Sequence, residues 1–134
     1  MREKKLWVIG FSLLWVLFLS VSVYAQPKVI KIGAIYPLTG NLATTGLDCK
    51  RGVEMAVEII NGKYDLSLPL AKTEGLPNLG GAKIEIIFAD SKGDPKNGMA
   101  EAERLVTQEK VVAVIGAYQS AVTKTASQAM TRGN

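Results

Sequence analysis

Tyr118, Gln119, Ser120 and Thr123 fall within eight residues, from Gly116 to Thr123, directly after the apolar run Val111 to Ile115. A hydroxyl at a helix start sits where backbone N–H groups lack partners and the helix dipole is positive, a combination that binds carboxylates without a charged side chain. Ser120 or Thr123 would add a hydrogen bond to such an anion, and Tyr118 an apolar wall. Ser120 suits a plain helix N-cap equally well, and the two roles are compatible. A second polar group, Thr39, Thr44 and Thr45, lies between another strand end and another helix start, where turn chemistry or ligand contact would account for it. Asp90, Ser91 and Asp94 lie at the end of a further strand-like run, Lys83 to Asp90.

Other chemistries find no support. The sequence contains no histidine, which removes His-based acid–base catalysis, Ser-His-Asp triads and His-containing zinc sites. No G-x-G-x-x-G follows the first strand and no G-x-x-x-x-G-K-[ST] is present, so neither a dinucleotide fingerprint nor a phosphate-cradling loop is in place. Ser120 does not stand in G-x-S-x-G. The spacing of Asp90, Ser91 and Asp94 fits no EF-hand loop, and helix capping explains Asp94. No catalytic, metal or cofactor residue is therefore assigned. An exported α/β enzyme would need catalytic residues from outside this sequence.

The elements that position these residues alternate. Val29 to Tyr36 is β-rich and apolar on both faces, as in a strand covered on both sides. A turn and a small-residue loop lead to a helix from about Gly46 to Asn61, with Cys49, Val53, Ala56, Val57 and Ile60 as its apolar stripe. Gly62 to Ala82 has no clear period and reads as a long surface excursion. Lys83 to Asp90 is a second strand. Asp94 and Pro95 cap and start a helix running to about Glu109, with Ala102, Leu105 and Val106 inward. Val111 to Ile115 is the third strand, and a third helix runs from about Ser120 towards Met130. The order βαβαβα predicts an α/β fold, a parallel sheet with helices on both faces and right-handed crossovers. Ligands of such sheets sit beyond the carboxyl ends of the strands, where Tyr36 to Thr45, Asp90 to Asp94 and Gly116 to Thr123 come together.

The first 25 residues read as a secretory signal peptide: a basic start, an apolar stretch from Leu6 to Val23, and Val23-Tyr24-Ala25 as the cleavage site. The competing reading is an uncleaved membrane anchor. Without Arg2, Glu3, Lys4 and Lys5 the remainder carries 13 basic and 11 acidic residues, which gives no electrostatic case for nucleic acid. Cys49 is the only cysteine and forms no internal disulfide; a small buried hydrophobe is its expected role.

Lys31-Ile-Gly-Ala-Ile-Tyr-Pro-Leu-Thr-Gly40, Gly46 and Gly52-Val-Glu-Met-Ala-Val-Glu-Ile-Ile-Asn61 resemble the start of periplasmic binding proteins of the leucine/isoleucine/valine-binding type. Asp90-Ser-Lys-Gly-Asp-Pro95 with Ala102-Glu-Arg-Leu-Val106, and Val114-Ile-Gly-Ala-Tyr-Gln-Ser120, resemble that family's next two units, so the likeness runs in order from Lys28 to Asn134. The resemblance implies two α/β lobes closing on a ligand by a hinge. Residues 26–134 would be the truncated N-terminal part of the first lobe. It implies a solute receptor of an ABC importer, exported to the periplasm. Such a receptor captures a branched-chain amino acid or a related small carboxylate or amide and hands it to a membrane permease. The alternative is the ligand-sensing domain of a membrane receptor with the same fold. By resemblance Ser120 hydrogen-bonds the ligand's α-carboxylate, Thr45 (with Thr44 beside it) lines the pocket where amino-acid binders often carry an aromatic, and Tyr118 and Gln119 shape specificity.

Overall fold

The protein is described by a computed structural model covering residues 28–132. The signal peptide expected at residues 1–25 lies outside the described residues. Three strands and three long helices alternate: β1 (Val29–Tyr36), α1 (Ala43–Asn61), β2 (Lys83–Asp90), α2 (Pro95–Thr107), β3 (Ala113–Gly116) and α3 (Ser120–Arg132). Among the described residues no helix is long and apolar enough to cross a membrane.

β1 is the central strand of a parallel sheet ordered β2-β1-β3. Its register places Tyr36 opposite Asp90 and Ile35 opposite Gly116, so all three strands end on the same side. Apolar sequence on both faces of β1 follows from this position. Gly33 and Ile35 face α2 and α3, and Ile35 joins Ala89, Ala102, Leu105, Ala126 and Ala129 in the core. Gly33 lets Leu105 pack close against β1, since a Cβ would stand 2.8 Å from Leu105 Cδ1 and would make that side chain shift. The helix pair is equally close-packed: a Cβ on Gly98 would come within 2.3 Å of Val122 Cγ1. α1 covers the opposite face, where Lys50 Nζ lies 5.1 Å from the centre of the Phe88 ring. The sheet thus has helices on both faces, as the alternation predicts.

Boundaries differ from the sequence expectation where tertiary context intervenes. α1 begins at Ala43, three residues before Gly46, and its cap is Leu42, which offers no side-chain bond. Along α1, Cys49, Val53, Val57 and Ile60 are half-buried, but Ala56 is exposed. One residue is about 100° of helix, enough to turn position 56 away from the sheet while 57 faces it. Pro95 starts α2, and Asp94 accepts from Asn97 N at 2.8 Å, as expected of a capping pair. β3 is shorter than the run Val111 to Ile115, and Val112 and Ile115 are exposed at 74% and 39%. The cause is position: β3 pairs only with β1 among the described residues.

Gly62 to Ala82 packs at the amino end of the sheet as a set of tight turns. Tyr64 N donates to Ala71 O, Ala71 N to Leu68 O, Thr73 N to Leu70 O, and Leu76 bridges Ala82. Asn61 joins the excursion to β2: its amide donates to Ile84 O and accepts from Ile84 N, both at 2.7 Å, occupying the outer edge of the strand as a neighbouring chain would.

Candidate functional site

Three loops meet at the carboxyl end of the sheet, and one carboxylate ties the first two together. Asp90 ends β2 opposite Tyr36, the last residue of β1. Its Oδ1 accepts from Leu38 N at 2.8 Å, Thr39 N at 3.3 Å and Lys92 N at 2.8 Å, and its Oδ2 accepts from Thr39 Oγ1 at 2.5 Å. Partial burial alone would push the Asp90 carboxyl up. The Thr39 hydroxyl and the N–H groups of Lys92, Leu38 and Thr39 outweigh that and hold it below its ordinary value. Thr39 is therefore committed to the first loop's shape. Asp90 is thus a structural clasp between the first and second loops. Among the described residues no group of three or more Cys, Asp or Glu stands together as a metal site would require.

The second loop is held rigidly. Lys92 and Gly93 take left-handed conformations, φ +55° and +72°, and Gly93 N donates to Ser91 Oγ at 3.3 Å. Ser91 is fully buried. Its N–H donates to Tyr36 O at 2.9 Å, and its carbonyl accepts from Asp94 N at 2.9 Å.

The third loop carries most of the residues singled out from the sequence, and it separates their roles. Ser120 is the first residue of α3 and is exposed, with no partner for its hydroxyl among the described residues. The first intrahelical bond runs from Thr123 N to Gln119 O at 2.9 Å, and the N–H groups of the exposed Ser120 and Ala121 precede it with no backbone partner among the described residues, open to an anion. Thr123 is engaged locally, its hydroxyl donating to Ala117 O at 2.8 Å and to Gln119 O at 3.1 Å. Tyr118 is 56% exposed and stands two residues before Ser120 in sequence. Gln119 turns inward, its Nε2 donating to Gly93 O at 3.2 Å. Thr44 and Thr45 lie in the first turn of α1 rather than in the loop before it, Thr44 exposed and Thr45 half-buried. The structure thus gathers Tyr118, Gln119, Ser120 and Thr123 at one junction, with Thr44 and Thr45 at the start of the neighbouring α1. Gly46 brings α1 against the first loop, since a Cβ there would lie 2.0 Å from Pro37 O.

Chemically this edge offers neutral donors and no nucleophile with a base. Tyr36, at the end of β1, has its phenol pushed up by burial and by the nearby Cys49, so it stays protonated. The arrangement suits reversible capture of a small anion-bearing molecule, with backbone N–H groups and a serine hydroxyl as its donors.

Known proteins resemble this chain in sequence and in fold. A family model described as periplasmic binding protein matches residues 29–134. The chain is 34% identical over 99 residues to Leu/Ile/Val-binding protein homolog 7 of Brucella abortus, covering 74% of this chain and 21% of that protein. It is 34% identical over 110 residues to an amino acid binding protein of Pseudomonas aeruginosa, covering 82% of this chain and 26% of that one. Among solved structures it is similar to the branched-chain amino acid transporter substrate binding protein LivJ of Streptococcus pneumoniae, in complex with isoleucine. That match has a TM-score of 0.63 and 29% identity, covering 79% of this chain and 27% of that one. The matched stretch spans about a quarter of the length of these relatives. All three are named for binding, none for a reaction.

Proposed function

The chain belongs to the periplasmic binding protein family, and on that premise we propose that it contributes the first part of the first lobe of an exported solute-binding protein. The protein captures an amino acid of branched-chain type, or a related small carboxylate or amide, and passes it to the membrane permease of an ABC importer. Capture is by hinge closure between two lobes, which ligand contacts on both sides favour over the open form. No covalent step is involved.

Ser120 is the observation that carries this reading: an exposed hydroxyl on the first residue of α3, beside free N–H groups and beyond the carboxyl end of β3. In its proposed role it hydrogen-bonds the ligand carboxylate together with those N–H groups. Tyr118 forms part of the rim, and Thr44 and Thr45 line the neighbouring wall. The engaged hydroxyl of Thr123 supports a role in shaping the turn, with its oxygen still able to accept. The amino-acid-binding names of the relatives and the isoleucine held by the Streptococcus protein support the ligand class.

Calorimetry on the full-length protein with leucine, isoleucine and valine, beside small aromatic carboxylates, tests the reading. One of these is expected to bind, and Ser120→Ala to weaken that binding by roughly 1–3 kcal/mol with thermal stability unchanged. Binding of none would overturn the ligand class, and unchanged affinity in the variant would reduce Ser120 to a helix-start residue.

A further inference from the structure

The Gln119 side chain turns away from the open edge and reaches the second loop. Its Nε2 donates to Gly93 O across 26 residues of sequence, and its Oε1 is buried with no hydrogen-bond partner. A Cβ on Gly93 would stand 3.1 Å from Oε1, a tight contact, at a backbone φ of +72° that itself favours glycine. The acceptor is fixed in place: Gly93 N is bonded to the fully buried Ser91, Lys92 N to Asp90, and Asp94 caps α2. Further along α3, Thr125 Oγ1 donates to Pro95 O at 2.7 Å and Val122 packs on Gly98, while at the junction itself the other side-chain bonds are the short-range ones of the Thr123 hydroxyl to Ala117 and Gln119.

We propose that Gln119 is a positioning residue: its amide straps the β3–α3 junction to the β2–α2 loop and so fixes where Ser120 and the first N–H groups of α3 point. The inference rests on the reading of Ser120 as a ligand contact. With Asp90 it completes a chain of bonds across the whole edge, in which Asp90 joins the first loop to the second and Gln119 joins the second to the third. Leaving one amide oxygen unpaired in a buried spot costs stability. That cost marks a side chain chosen for its donor and its reach.

Gln119→Glu tests the role, because a protonated carboxyl matches the amide in shape and carries one donor, whereas the ionised form has none. Facing a carbonyl, the introduced carboxyl has its pKa raised above the ordinary value of about 4.3. In the full-length protein at about pH 7, affinity for leucine, isoleucine and valine is expected to fall by a common factor of roughly five to ten. The amides at the start of α3 should exchange with solvent faster than in the wild type at the same pH. Both differences are expected to vanish at about pH 3.5, where a carboxyl with a pKa above about 4.3 is largely protonated. Gln119→Met, which keeps length but has no donor, should show the losses at both pH values. A changed ranking among the three amino acids would overturn the proposal in favour of direct contact. Affinity and exchange that stay at wild-type levels, or losses that persist at low pH in Gln119→Glu, would also overturn it. If the wild type binds none of the three and no small aromatic carboxylate either, the proposed function fails, and the exchange measurement alone decides the strap.

Discussion

At the carboxyl end of the sheet, hydrogen bonds cross from loop to loop: Asp90 reaches Leu38 and Thr39, 52 and 51 residues away, and Gln119 reaches Gly93, 26 residues away. At the amino end, the excursion from Gly62 to Ala82 bonds largely to itself, through turns that span three to seven residues. The side chains follow the same division. The carboxyl end aims its polar groups at neighbouring loops, whereas the excursion leaves Tyr64, Leu66, Leu68, Leu70 and Leu79 exposed. The shape of the first end depends on the whole sheet and tolerates little change. The shape of the second is local, and its outward side chains bear little of the fold's stability.

The comparison breaks most severely at Gly46. A methyl group there would lie 2.0 Å from Pro37 O and 2.6 Å from Pro37 C, both backbone atoms that cannot rotate away. Gly46→Ala is expected to lower unfolding free energy by about 3 kcal/mol in urea melts. Gly52 sits in the same helix and a Cβ there meets nothing within 4 Å. Gly52→Ala should instead be neutral or stabilise by up to about 1 kcal/mol, since alanine favours helix. Equal effects at the two positions would show that α1 does not depend on its contact with the first loop.

Asp90 comes next. Asp90→Ala removes the acceptor for three N–H groups and one hydroxyl. A loss of roughly 2 kcal/mol is expected, with Asp90→Asn losing less because its carbonyl still accepts. The pH dependence has a definite sign. The folded-state pKa of Asp90 is lowered, so its contribution is complete above the unfolded-state value of about 3.9 and is lost as pH falls through the lower folded-state value. Stability of the wild type should therefore drop more steeply in acid than that of Asp90→Asn. Parallel acid profiles would mean that the clasp is not charged.

Part of this was legible in the sequence and part was not, for reasons that differ by residue. β1 and β2 read to the residue because a central strand must be apolar on both faces and its neighbour carries the same β-rich pattern. The Asp94–Pro95 start of α2 read correctly because a cap and its helix are adjacent. The start of α1 did not, since Leu42 caps by backbone position and leaves no side-chain signature. The start of α3 at Ser120 read correctly because a strand end followed by a hydroxyl is a local pattern. The roles of Asp90, Thr39 and Gln119 were hidden, because each depends on a partner that only the parallel register brings near.

The smallest effect is expected in the excursion, and it sharpens the contrast by its size. Leu66 and Leu68 are 42% and 52% exposed. Among the bonds of this segment, Leu68 contributes its backbone carbonyl to Ala71 N, which any residue can supply. Leu66→Ser with Leu68→Ser removes apolar surface that is already in water, so unfolding free energy should stay within about 0.5 kcal/mol of the wild type. Solubility should rise, because exposed leucines close together in sequence favour self-association. The stabilising groups of this region are instead Asn61, held at both ends of its amide by Ile84, and the buried Ala71 and Gly75. A loss above about 1 kcal/mol in the double serine variant would mean that the leucines pack in the folded protein, and the two ends of the sheet would then differ in bonding pattern but not in their share of the stability.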